Sequence, residues 1–141
     1  MAKEPQISKW SLTLLRIVLG FIFTYHGYLK LFAEGGFKQT VGFFTQIGIP
    51  LPLYSALIVA LIEFAGGILL LIGLLTRWAS LLLLVDMLVA FFKVHMNNGF
   101  LITSGGYEFV LILLAGLVLI LSSGAGKLAL GNKFFKGRHL M

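Results

Sequence analysis

A chain of 141 residues that is 59% apolar and only 11% charged carries more hydrophobic surface than one soluble core can hide. Its mean hydropathy is +1.01, and its formal charge of +6 comes from cations flanking apolar stretches, a pattern that orients helices and meets anionic lipid rather than nucleic acid. There is no cysteine, which excludes disulfides, thiolate metal sites, iron–sulfur clusters and Cys-x-x-Cys cycles, so any electrons travel on an exogenous cofactor.

The basic start, with Lys3 and Lys9, resembles a secretory signal, but its apolar part is long and no small-residue cleavage site follows. It reads as an uncleaved anchor. A span needs about 20 mainly apolar residues, and four segments qualify, at about Trp10–Phe32, Leu53–Leu75, Trp78–Met96 and Tyr107–Ser123. The predicted fold is therefore an all-α membrane protein, a four-transmembrane-helix bundle forming one domain over residues 1–141.

The link Ala33–Pro52 carries Phe37, Val41, Phe44 and Ile47 at helical spacing, followed by Gly48 and Pro50. It predicts a short interfacial helix between spans 1 and 2, or else a loop that tucks its phenylalanines against the bundle; both cover one mouth of it. Spans 2 and 3 are joined only by Thr76 and Arg77, which predicts an antiparallel hairpin. An even number of spans puts both termini on one side, with Lys3, Lys9, Arg77, Lys127, Lys133, Lys136 and Arg138, against Lys30, Lys38 and Lys93 on the other. That bias predicts cytoplasmic termini, with Trp10 and Trp78 at the cytoplasmic interface.

Within the predicted spans sit Arg16, His26, Lys30, Glu63, Asp86, Lys93, His95 and Glu108. A charge at the bilayer centre costs at least ~2.5–3.5 kcal/mol, so such groups pair, neutralise, snorkel or face a wet cavity. Counting at ~1.5 Å per residue puts Glu63 and Asp86 roughly 16 Å down, near the midplane. Arg16 is the cation placed to reach either, and a pair of Arg16 with Glu63 or Asp86 is expected. His26, Lys30, His95 and Glu108 fall in the outer third, where Lys30 and Lys93 can snorkel. Each has a plain structural reading: a buried pair that fixes register for Arg16, a carbonyl-bonded imidazole for His26 and His95, a helix N-terminal charge for Glu108. Their convergence on one half of the bundle is what points to a site. No H-x-x-x-H spacing supports a metal or a haem on His26, His95 and Glu108, and neither a G-x-S-x-G nucleophile nor a phosphate loop is present.

These features resemble the DoxX family of small four-span membrane proteins over nearly the whole chain. The resemblance is carried by R-I-V-L-G-F-I-F-T-Y-H-G-Y-L-K-L-F from Arg16 to Phe32, the G-I-P that ends the link, and E-F-A-G-G-I-L-L-L-I-G-L-L-T-R from Glu63 to Arg77. His95, Asn98–Phe100, Gly105–Phe109 and the closing G-A-G-K at Gly124–Lys127 complete it. It implies a prokaryotic inner or plasma membrane and kinship with a subunit of a thiosulfate:quinone oxidoreductase. It points to Arg16, Gly20, Gly27, Lys30, Glu63, Gly67, Gly73, Arg77, His95, Gly106 and Glu108 here. The absence of cysteine argues against a persulfide carried by this chain.

Three functions compete. The first is a quinone-linked oxidoreductase component, with His26, Lys30, His95 and Glu108 as catalytic candidates and Arg16, Glu63, Asp86 and Tyr107 as cofactor-binding ones; quinone is the expected cofactor, ahead of haem or metal. The predicted pocket is lined by His26, Lys30, Glu63, His95, Tyr107 and Glu108 under the Phe37–Phe44 segment, with an isoprenoid tail passing near Gly20, Gly27 and Gly67 unless those glycines close the gap. The second is a non-catalytic partner of a redox enzyme subunit. The third is a small transporter of an anionic or sulfur-containing solute, drawn by Arg16, Lys30 and Lys93. The lipid bilayer is the certain partner; a homo-oligomer is compatible with all three.

Overall fold

The structure, a computed structural model, describes residues 8–134. The cation bias read at Lys3, Lys136 and Arg138 lies outside the described residues.

Ser8 opens helix α1 (Lys9–Phe32), its hydroxyl accepting from the Trp10 amide at 3.3 Å, as an N-cap does. The chain then reverses through Gly35 at φ 71° into α2 (Gly36–Gln46). Gly36 touches the end of α1 so closely that a Cβ there would stand 2.0 Å from the Leu29 carbonyl oxygen. The link is thus a helix, with Thr40 and Phe44 buried and Phe37 and Val41 half-buried on its inner face.

Pro52 starts α3 (Pro52–Ile72), where its missing N–H removes no helical bond. Gly73 ends α3 at φ 69°, and Leu75 at φ 47° leads into α4 (Thr76–Ala90). The hairpin forms as expected, but its link is Gly73–Leu75, and Thr76 and Arg77 belong to the first turn of α4. The hydrophobic run through Leu74 and Leu75 hid the reversal, which the left-handed glycine fixes. α4 continues through a π-helical turn, Phe91–His95, and a 3-10 turn, Met96–Asn98. A second 3-10 turn, Ile102–Ser104, precedes α5 (Glu108–Ser123), and a short α6 (Gly131–Phe134) follows.

Among the described residues three helical rods are long and apolar enough to cross a membrane: α1, α3 and Thr76–Asn98. α5, with 16 residues, measures about 24 Å against a hydrocarbon core of about 30 Å. It packs on α4 and α1, and α4 packs on α3, so α1, α3, α4 and α5 close a ring, with α2 on α1 and α3. The starts of α1 and α4 and the ends of α3 and α5 share one end, here the terminal end; α2 and residues 97–107 mark the loop end. Leu19, Phe23, Leu70, Leu83, Leu113 and Leu117 fill the centre. Phe21, Val85 and Ile112 are exposed outside, while Arg16, Glu63, Ser80 and Asp86 are buried inside. That inversion of the soluble pattern is what a lipid solvent selects.

α1 and α3 make the most extensive helix pair, because glycines let their backbones touch. A Cβ on Gly67 would lie 2.3 Å from the Thr24 amide nitrogen, and one on Gly27 would lie 2.3 Å from that of Phe64. These glycines close the seam, so it offers a tail no passage. Gly27→Ala is accordingly expected to cost more than the ~1–3 kcal/mol typical of overpacking, since the obstruction is main chain. Thermal unfolding in one detergent measures it; a melting temperature unchanged from the parent would contradict the seam.

Candidate functional site

Arg16 is 0% exposed, yet among the described residues no carboxylate meets it. Its Nε donates to the Ala125 carbonyl at 2.9 Å and Nη1 to that of Leu71 at 2.8 Å. Nη1 also donates to the Leu70 carbonyl and Nη2 to that of Leu128. This corrects the expected pairing with Glu63 or Asp86. The Leu70 carbonyl also accepts from the Gly73 amide, while that of Leu71 has no main-chain donor among the described residues; both lie at the negative end of the α3 dipole, which a planar guanidinium fork satisfies. Glu63 stands seven residues before Leu70 on α3, about 10 Å toward the loop end. Beside Arg16 the closing G-A-G-K segment is stitched down, with the Lys127 amide donating to Thr13 Oγ1 at 2.9 Å and Lys127 Nζ 5.3 Å from the Trp10 ring centroid. Leu130 and Gly131 donate their amides to the Ile72 and Gly73 carbonyls. The Arg16 end is thus a fastening, and Arg16 does not line the cavity described next.

Lys30 on α1 and Glu63 on α3 form the salt bridge that takes the place of the expected one, unique among the described residues. Lys30 therefore turns inward rather than snorkelling. Asp86, on the facing side of α4, is within electrostatic range of both, and His26 also feels the pair. Asp86 is 8% exposed, and its Oδ2 is buried without a hydrogen-bond partner. These four residues border one cavity of about 750 Å³ in the loop half of the bundle. Its walls are mainly aliphatic and aromatic, and α2 roofs it with Gln39, Thr40, Phe43 and Phe44.

His95 and Ser55 add further polar groups to the lining. The π-helical turn shifts the register at the end of α4, a device frequent at functional sites, and His95 Nδ1 meets the Gly105 carbonyl at 2.7 Å. Because a carbonyl only accepts, Nδ1 carries the proton, and Nε2 is the free nitrogen of the neutral ring. Asn98 also reaches Gly105, at 3.3 Å.

Glu108 and Tyr107 stand apart from the cavity. The Glu108 carboxylate accepts from the Ile102 amide at 2.6 Å, and its own amide donates to the Phe100 carbonyl. Tyr107 packs on Phe91 and Phe100, with centroids 5.2 and 5.6 Å away. Both brace the 97–107 loop, as does Gly106, where a Cβ would meet the Gly99 oxygen at 2.3 Å. Lys93 is exposed and off the cavity. The structure thus joins His26, Lys30, Glu63, Asp86 and His95 and leaves out Arg16, Tyr107 and Glu108. Sequence reasoning missed the Arg16 acceptors and the polar roof at Gln39 and Thr40; no charge marks either.

The described fold and site define a helical membrane protein with an acid-and-imidazole cavity capped by a short amphipathic helix. The chain belongs to the DoxX family, whose match covers residues 11–96. It is similar to an uncharacterized protein of Haemophilus influenzae, 38% identical over 89% of this chain and 91% of that one. It is also similar to a Bacillus subtilis protein named "Putative oxidoreductase CatD", 35% identical over 89% of this chain and 87% of that one. A third relative is an uncharacterized membrane protein of Mycobacterium tuberculosis, 31% identical over 89% of this chain and 82% of that one. No solved structure matches significantly.

Proposed function

We propose that this protein is a membrane component of a quinone-linked oxidoreductase, and that the cavity under α2 receives the quinone headgroup. In this reading the protein lies in a prokaryotic plasma membrane with both termini cytoplasmic, α5 crosses as a fourth span, and α2 lies in the outer interface. The observation that carries the proposal is the buried, unpartnered Asp86 Oδ2 on an apolar-walled cavity beside an ion pair. A planar ring with two acceptor oxygens fits such walls, and a protonated carboxyl or an imidazole N–H supplies what those oxygens accept.

Bound quinone supplies two-electron, two-proton chemistry. The chain's part is to hold and move protons. Lys30 fixes Glu63 by charge, leaving Asp86 as the carboxyl able to hold a proton toward the cavity. His95, anchored through Nδ1 on Gly105, keeps Nε2 for accepting a proton. The chain has no cysteine, so a partner enzyme subunit or cofactor delivers the electrons. The name of the Bacillus relative supports this reading by analogy.

Titrating a short-chain quinone analogue into purified protein tests it. Asp86→Leu and His26→Ala, each of which removes a donor facing the cavity, are each expected to weaken binding about tenfold, the worth of one lost polar contact. Glu108→Ala is expected to lower stability and leave affinity unchanged. Absence of any binding to the parent protein would end the quinone reading.

The scaffold reading draws on Arg16, Tyr107 and Glu108, all of which hold structure together. It wins if a redox subunit co-purifies and no quinone binds. The anion-transport reading loses its cations, because Lys30 faces Glu63, Arg16 faces carbonyls and Lys93 stands off the cavity.

A further inference from the structure

The cavity walls differ from one another in a way that marks how a ligand reaches it. α1 and α3 meet backbone to backbone at Gly20, Gly27 and Gly67, so nothing passes there. α4 and α5 are joined by Leu83, Met87, Val110 and Leu113 of the core. α3 and α4 are tied by their hairpin at the terminal end, and a Cβ on Gly66 would sit 3.2 Å from the Leu83 side chain. Toward the loop end they differ. Ile58 on α3 and Val89 on α4 both line the cavity, yet they are 56% and 46% exposed.

Residues that are at once cavity wall and outer surface rim an opening. Ile58 is five residues before Glu63, and Val89 three residues after Asp86; along the helices these are about 7 Å and 4 Å. The opening therefore leads from the outer apolar face to the acidic cluster, and its rim is aliphatic. Across the cavity, His26, Leu29, Gln39, Phe43, Ile102 and Gly105 are also both lining and exposed. There the rim carries an imidazole, and His95 bonds the Gly105 carbonyl.

We infer that the gap between α3 and α4 at Ile58 and Val89 is a lateral portal holding the single alkyl or isoprenoid tail of the bound ligand. The headgroup lies inward by Asp86, and the His26–Gly105 side is the route for protons. The inference rests on the quinone reading and adds to it a ligand class, a headgroup with one long chain, and a direction of approach. An aliphatic rim leaves a chain in surroundings as apolar as the lipid it came from, so the tail adds little affinity of its own and loses little by staying outside. A closed gap would force the tail into the cavity or expel the ligand.

The absence of cysteine gives a clean background for Ile58→Cys/Val89→Cys, bridged by a bis-methanethiosulfonate reagent and reopened with dithiothreitol, so that one protein serves as its own control. Binding of 2,3-dimethoxy-5-methyl-1,4-benzoquinone and of the same ring with a decyl tail is measured in nanodiscs in both states. Bridging is expected to weaken the tailed quinone about tenfold or more and to change the tailless one by less than about twofold, with full recovery on reduction. If bridging leaves both affinities unchanged, or weakens both alike, the portal is overturned while the quinone site stands. If neither ring binds the unbridged protein, the quinone reading fails and takes the portal with it.

Discussion

Arg16→Leu is expected to abolish recovery of folded protein from detergent extracts, the largest effect of any single substitution proposed here. The guanidinium donates to four carbonyls, of Leu70, Leu71, Ala125 and Leu128, two of the bonds buried and two partly buried. The Leu70 carbonyl keeps the Gly73 amide as a donor, but each of the other three stripped of its donor costs about 1–3 kcal/mol, so the loss is at least about 3 kcal/mol, a large part of a typical folding free energy. Arg16→Lys is expected to recover only part of it, because an ammonium has three donors on a single nitrogen and cannot span a planar set of acceptors. The same geometry predicts that Arg16→Lys combined with Glu63→Gln or Asp86→Asn is additive within about 0.5 kcal/mol, since these groups share no partner. Thermal denaturation of singles and doubles measures this. Strong coupling to either carboxylate would restore the pairing that charge counting suggests and remove the carbonyl cage.

The second large effect belongs to the Lys30–Glu63 pair, and it is expected to be asymmetric. Removing one member of a buried pair typically costs about 3–5 kcal/mol. Lys30→Met leaves Glu63 and Asp86 in one low-dielectric cavity with no cation between them. Glu63→Gln leaves Lys30 with Asp86 still in electrostatic range, so its charge keeps an opposite. Lys30→Met is therefore expected to be the more damaging by about 1 kcal/mol or more, and the double variant milder than the sum of the singles. Melting temperatures in one detergent at one pH decide it. Equal single effects that add in the double would mean that the three groups act independently.

Hydropathy and helical period made the long helices and the amphipathic link legible, because both are properties of local residue runs. Glu63, Asp86, His26, Lys30 and His95 were legible for a similar reason: an ionisable residue in an apolar run announces itself. Partner choice was not. Arg16 sits among charges of the opposite sign in a depth count, but its acceptors are main-chain oxygens, which every residue has and no sequence pattern displays. Glu108 reads as a cavity acid because it opens a span, whereas its carboxylate turns back onto the Ile102 amide. The end of α3 was displaced by three residues because Leu74 and Leu75 continue the apolar run past the glycine that breaks the helix. The closing of the Gly20, Gly27 and Gly67 seam follows from glycine alone only once the neighbouring helix is known.

The fastening of Arg16 also sets an order of events during synthesis. When α1 and α3 have left the ribosome, the guanidinium can reach the Leu70 and Leu71 carbonyls, but those of Ala125 and Leu128 do not yet exist as neighbours. An early helix therefore waits, half satisfied, for residues 124–131 to be made. Only when residues 124–131 settle beneath α1 and onto Gly73 does the bundle lock. Until that segment is made the Arg16 guanidinium is only partly paired, and the latch, rather than the third membrane rod, is what completes its set of acceptors.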